Sequence, residues 1–391
     1  MADRAYLDWN ATAPLRPQAK AAVLAALEHS GNPSSVHGEG RAARRLIEDA
    51  REQVAKLVGA DAADVVFTSG GTEANALALT PFITRAGDKV PLQRLLMSAI
   101  EHPSVRSGGR FPAGAVSEIP VTAQGVVDLA ALKVMLVKYV SVGGRTLVSI
   151  MLANNETGVI QPVREAADIV HEARGLLHVD AVQGPGRMKL DMTALGADLL
   201  TLSAHKLGGP KGVGALVRAP GTHIAEPLIK GGGQERGSRA GTENVAGIAG
   251  FGAAAAAALQ SLDADIVRMR EMRDRLEAGL KAMTPEAVIF GADAERLPNT
   301  ILFALPGIKA ETAVIAFDLD GVAVSSGAAC SSGKVQPSHV LAAMGVHKVL
   351  SEGAIRSSLG PATTDSDIER FLNAWNKLSK SLNKERNGLA A

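Results

Sequence analysis

The sequence predicts an α/β protein, with a mostly parallel central sheet in a large domain and a smaller α+β domain at the C-terminal end. Three observations lead there. Short apolar runs alternate with amphipathic helical stretches through the first part of the chain. Those runs are apolar on both faces, as strands covered by helices on both sides must be. At 391 residues the chain also exceeds what one hydrophobic core usually serves.

The first strong helix is GRAARRLIEDAREQVAKLVG, residues 40–59, with Leu46, Ala50, Val54, Leu57 and Val58 on one stripe. It leads into DVVFTSGG, a buried strand ending in glycines. LLMSAI is a further apolar run and TLVSIMLAN (146–154) a strand; VREAADIVHEARG is a helix closed by Gly175. LLHVDAVQ and DLLTLSAHK are two more strands, followed by GVGALVR. The longest uncharged run, residues 245–262, is dominated by Ala and Gly and includes Gln260 and Ser261, so it reads as a helix buried in protein rather than in lipid. After it, DADIVRMREMRDRLEAGLKAM is a charged connecting helix, and NTILFAL and IERFLNAWNKL belong to a second unit.

Forty-one basic and forty acidic side chains leave a formal charge of +1. No global field then draws the protein to nucleic acid or a membrane, and its ligand is expected to be small. The opening MADRAYLDWNATAPL lacks a basic segment followed by an apolar one, so no export signal is read and a cytoplasmic location is expected. The single cysteine, Cys330, excludes an intrachain disulfide and a multi-cysteine metal site, and no metal centre is expected. It stands in SSGAACSSGK, residues 325–334, a predicted mobile, solvated loop. There it is a bland thiol, an interchain link or a reactive nucleophile.

In open parallel sheets ligands sit beyond the carboxyl ends of the strands, so those ends are read together. DVVFTS ends in GGTEANAL, where Gly70 and Gly71 permit close backbone approach and Thr72 offers a hydroxyl at a helix start. That is a phosphate cradle or a Gly-rich turn capped by Thr72. LLHVD ends in Asp180, three residues before Gln183, and its carboxylate either meets a cation or several donors, or serves a turn. DLLTLS leads into SAHKLGGPKGVG with Ser203, His205 and Lys206. Lys206 is a desolvated nucleophilic amine or a surface lysine. AIEHPSV carries His102, a flat ring over a ligand or a structural histidine. Together these ends suit a ligand with a phosphate, a basic ring nitrogen and an aldehyde, which pyridoxal phosphate combines.

The ordered set YLDWNATAP, NPSSVHGEGR, TSGGTEAN, SAIEHPSV, MLANNETGVIQP, VDAVQ, SAHKLGGPKGVG, GGGQERGSRAGTEN, SSGAACSSG, PSHVL and GAIRSSLG closely resembles the cysteine desulfurases over residues 6–360. The long Ser- and Gly-rich cysteine loop matches their group I, which serves nitrogenase and general iron–sulfur assembly. The resemblance implies the fold type I architecture of pyridoxal phosphate enzymes. It also implies a large domain over residues 16–262 and a small one from 1–15 and 263–391 that carries the loop at about 325–334.

By the same resemblance, Lys206 is the Schiff-base lysine and general base, Asp180 pairs with the pyridinium nitrogen, His102 stacks on the ring and Gln183 contacts its hydroxyl. Gly71, Thr72, Ser203 and His205 hold the phosphate, and Thr242 of RAGTEN reaches the phosphate of a neighbouring subunit, implying a homodimer. Asn155 and Arg356 hold the carboxylate of L-cysteine. Cys330 takes the sulfur as a persulfide, releasing L-alanine, for delivery to an acceptor protein such as an iron–sulfur scaffold. Ala328 and Ala240 stand where many relatives have serine, and Thr157 where isoleucine is common; none carries an assigned role. A selenocysteine lyase or aminotransferase of the same fold would not need Cys330 in a loop, and a scaffold that kept only the fold would not need Lys206, Asp180 and His102.

Overall fold

The computed structural model describes residues 4–85, 90–140, 144–327 and 337–388. Seven strands form the central sheet: β1 (Val65–Thr68), β2 (Leu92–Ser98), β3 (Val116–Ile119), β4 (Arg145–Met151), β5 (Leu176–Asp180), β6 (Leu199–Ser203) and β7 (Gly214–Arg218). Their spatial order is β1-β7-β6-β5-β4-β2-β3. Pairing is parallel from β6 through to β3, while β7 runs antiparallel to both β6 and β1. Six strands therefore point one way and deliver their last residues to one edge. The exception has a simple cause. A parallel crossover needs about a dozen residues or more, and only residues 204–213 separate β6 from β7, so the chain turns straight back. Lys206 sits in that reversal.

A second, four-stranded antiparallel sheet runs in the order Val288–Ile289, Thr300–Ala304, Ile355–Ser358, Ser325–Ser326. Its core is aromatic: Phe303 meets Trp375 edge-on at 5.2 Å, and Phe317 stacks on Phe371 at 4.8 Å. Ala5 and Leu7 from the start of the chain pack into this same core, and Ala5–Tyr6 pairs in parallel with Val322–Ala323. The N-terminal segment is thus fastened beside the second sheet before it reaches the first.

The sequence suggests an uncharged helix followed by a charged one after residue 244. The structure joins them into a single helix, Val245–Met283. Ile248, Phe251 and Ala258 lie in the core of the large sheet, and Met272, Leu276 and Leu280 in that of the small one. Its apolar half is long enough to cross a membrane by length and composition, yet 61% of that window is buried inside the protein. Small residues let neighbours come close: a Cβ on Gly252 would lie 2.5 Å from the Ala50 Cα. The partner helix, Gly38–Leu57, buries Ala43, Ile47, Ala50 and Val54; Leu46, expected on this stripe, is only partly buried beside Ile47. Arg51 is buried on it too, its charge met by both oxygens of Glu235 at 2.7 and 2.8 Å.

Gly252→Ala decides between two effects. Helix propensity alone would favour alanine by roughly 1 kcal/mol. The clash, however, is with backbone that cannot rotate away, and such overpacking costs about 1–3 kcal/mol. A lowered thermal midpoint is expected; an unchanged or raised one contradicts this packing.

Candidate active site

The polar strand ends surround one cavity of about 270 Å³. Ten of the twelve residues named from the sequence line it: Gly71, Thr72, His102, Asn155, Asp180, Gln183, Ser203, His205, Lys206 and Arg356. Thr242 is exposed and lies outside it. Cys330 falls within residues 328–336, outside the described residues, as does Ala328.

Each wall follows from a strand. After β1 the chain enters the helix Gly71–Ala78, whose first N–H groups have no intrahelical acceptor and whose first residues, Gly71 and Thr72, line the cavity with Ser203. A side chain at Gly71 would crowd the cradle: a Cβ would lie 3.1 Å from Val182 Cγ2 and 3.4 Å from Ser203 Cβ. Asp180, the last residue of β5, is buried and accepts from Asn75 Nδ2 at 2.8 Å and from the Val182 amide at 3.1 Å. Beyond β6, Lys206 Nζ reaches back to donate to the carbonyls of Asn10 at 2.6 Å and Ala11 at 3.0 Å. His205 Nδ1 lies 3.1 Å from Thr12 Oγ1. After β2, His102 caps the short helix Pro103–Arg106, and its Nδ1 sits 2.7 Å from Ser104 Oγ.

Burial disfavours the charged forms of several rings and carboxyls. It pushes His205 down to about 4, reinforced by Lys206, Lys211 and Arg187. Burial also lowers His102, with Asp180 opposing and Lys206 adding to the shift. His178, behind Asp180 on β5, is pushed down to about 4 by burial and is held by Ser149 and Thr201. Burial, with Asp180 nearby, raises Glu101 well above the carboxylate range. Its Oε1 accepts from Ser98 Oγ and the Met151 amide.

The opposite wall comes from the second sheet. Arg356 is buried on the strand Ile355–Ser358; its Nη1 donates to the Asn155 carbonyl at 3.0 Å, and Nη2 pairs with Asp8 at 2.7 Å. Gln183 donates to the Asn10 carbonyl and accepts from Arg187 Nη1. Arg187 is itself buried and donates to the carbonyls of Trp9 and Lys206.

The sequence alone does not single out Asp8, Asn10, Asn75, Glu101 or Arg187. For Asn75 a signal existed: it follows Thr72 by three residues, which places both on one face of a helix starting at Gly71. Its Oδ1 is buried without a partner.

Next to the cavity, Glu156 is buried, and burial raises it to about 7 against the opposing effects of Ser338 and Arg356. Ser338 Oγ donates to its Oε2 at 2.5 Å. Because its folded value exceeds the ordinary 4.5, its contribution to stability is complete below pH 4.5 and lost as pH rises through about 7. Glu156→Gln removes that loss. The stability of the variant relative to the parent is expected to grow by up to about 3 kcal/mol between pH 4.5 and 8. Denaturant midpoints that keep a constant difference across this range contradict the assignment.

Three comparisons bear on this arrangement. The description "Aminotransferase class-V" matches residues 5–371. The chain is 44% identical over 376 residues to a cysteine desulfurase of Cereibacter sphaeroides, covering 95% of this chain and 94% of that one. It is 42% identical to the cysteine desulfurase IscS of Dictyoglomus turgidum, covering 96% and 95%. The fold superposes on the crystal structure of a NifS-like protein from Rickettsia africae with a TM-score of 0.87 at 37% identity, covering 97% of this chain and all of that one.

Proposed function

This chain belongs to the class-V aminotransferase family and groups there with the cysteine desulfurases, and on that premise we propose that it converts L-cysteine to L-alanine and takes the sulfur onto Cys330 as a persulfide. The family depends on pyridoxal phosphate, and the residues present fit that group. The Gly71 cradle and helix start, with Thr72, Ser203 and His205, suit its phosphate. Asp180, whose hydrogen-bond donors are neutral, suits a protonated ring nitrogen, and the unpartnered Asn75 Oδ1 beside it has acceptor capacity to spare. His102 offers a flat neutral ring, and Lys206 Nζ an amine already turned into the cavity. When bound, the cofactor supplies an electron sink for charge developing at the substrate Cα.

The rest falls to the protein. The Arg356 guanidinium and Asn155 hold the substrate carboxylate. Lys206 Nζ takes the Cα proton as general base, steadied by the Asn10 and Ala11 carbonyls that accept from it. The Cys330 thiolate attacks the substrate sulfur, an S–S bond forms and the C–S bond breaks. The C–S electron pair stays on carbon and is protonated, so cysteine plus thiol becomes alanine plus persulfide, with no outside oxidant. The location of the described ends of the cysteine segment supports this reading. Ser325 binds Asp8, which pairs with Arg356, and Ser338 binds Glu156, next to Asn155. From there the persulfide serves an acceptor protein such as an iron–sulfur scaffold. The exposure of Thr242 supports a homodimer in which it completes the partner's site.

The observation that carries this reading is the enclosure of Lys206, Asp180, His102 and Arg356 in one cavity. Cys330→Ser tests it. Parent protein treated with L-cysteine should gain one sulfur per chain by mass, removable by reductant, and release alanine. The variant should keep its cofactor and do neither. Wild-type alanine and sulfide release by Cys330→Ser would make this a lyase that needs no protein thiol.

A further inference from the structure

The donors of Arg356 are unequally used. Nη1 and Nη2 have protein acceptors in Asn155 and Asp8, whereas Nε is buried and has none. The ion pair is itself enclosed, with side chains 2% and 18% exposed. Asp8 is held in turn. Its Oδ2 accepts from Ser325 Oγ at 2.9 Å, and Ser325 is the register partner of Arg356 across the antiparallel pair. Further along the same edge of the strand Ile355–Ser358, whose other edge is taken by Thr300–Ala304, the Asp8 backbone bridges to Ser358 in parallel. Three chain segments from positions 8, 325 and 356 therefore lock one carboxylate and one guanidinium together.

A long arginine side chain without such a lock samples many rotamers and presents its N–H pair to a ligand only part of the time. A carboxylate already paired with it adds no attraction for a second anion. What Asp8 supplies is orientation. We propose that Asp8 is a positioning residue for the substrate carboxylate: it fixes the orientation in which the Arg356 guanidinium, part of the cavity wall, meets the incoming carboxylate, and ties that orientation through Ser325 to the strand that precedes residues 328–336. This rests on Arg356 being the carboxylate ligand. Loss of Asp8 must then weaken ligands that carry a carboxylate and spare amines that lack one, a pattern that general damage to the fold does not produce.

The test uses the pyridoxal phosphate holoenzyme and follows cofactor absorption on titration with L-alanine and with ethylamine. These are one compound with the carboxylate and one without, and neither requires turnover. Asp8→Ala is expected to weaken L-alanine by about tenfold or more while ethylamine stays within about twofold. The KM for L-cysteine should rise in step with the loss of L-alanine binding. Asp8→Asn, which keeps an oxygen for Arg356 and an amide for Ser325, is expected to restore L-alanine to within about threefold of the parent. If Asp8→Ala does not retain cofactor, Asp8→Glu displaces the guanidinium by one methylene and is judged by the same ratio. An L-alanine titration unchanged in the variant, or weakened equally with ethylamine, overturns the proposal. A parent enzyme that binds L-alanine yet releases no alanine and sulfide from L-cysteine overturns the desulfurase reading instead, and the ratio still judges Asp8.

Discussion

Asp180 stands at the end of β5 with 6% of its surface exposed and with neutral donors, the Asn75 amide and the Val182 backbone, as its hydrogen-bond partners. A charge so placed acts on its surroundings in two directions. Behind it, His178 and Glu101 are both buried, and burial shifts both toward their neutral forms. In front of it the cavity is left as the side from which a positive partner can approach. A carboxylate at that depth is tolerable because the helix Gly71–Ala78 and the turn after β5 supply amide donors for it and the cavity can supply a cation.

The parallel sheet explains why the other groups gather around that carboxylate. Strands β1, β2, β4, β5 and β6 all end at one edge, so residues scattered from position 72 to position 206 become neighbours without any long-range pattern among them. The edge is closed by chain from elsewhere. The N-terminal segment supplies the Asn10 and Ala11 carbonyls that engage Lys206, and the antiparallel sheet supplies Arg356. The cavity is thus polar in its donors but assembled by apolar packing, since the contributing segments are anchored in buried clusters on the two faces of the large sheet and in that of the small one.

This division also explains what the sequence could reveal. Strand ends are legible because an apolar run that stops at Asp180, Ser203 or His102 announces both the strand and the polar residue it delivers. The pairing of Asp8 with Arg356 is not, since 348 residues separate them and neither lies in a periodic context. Arg187 was equally hidden: it sits in a Gly-Pro-Gly turn that reads as surface, yet the fold buries it under carbonyls from Trp9, Gln183 and Lys206. The continuity of the helix Val245–Met283 was obscured by a change of composition near its middle, where its surroundings pass from one core to the other. The direction of β7 could be argued only from the shortness of residues 204–213, a distance constraint rather than a pattern.

That helix has 39 residues and so extends about 58 Å. It behaves as a lever arm, held by Phe251 at one end and Leu276 at the other. A tilt of one degree about either end moves the opposite end by about 1 Å, larger than the roughly 0.5 Å within which reacting groups must be held. Small residues such as Gly252, which seat the helix against Ala50, therefore help set the alignment of the two halves of the cavity. Precision at the site is in part a matter of how firmly a distant bearing surface is seated.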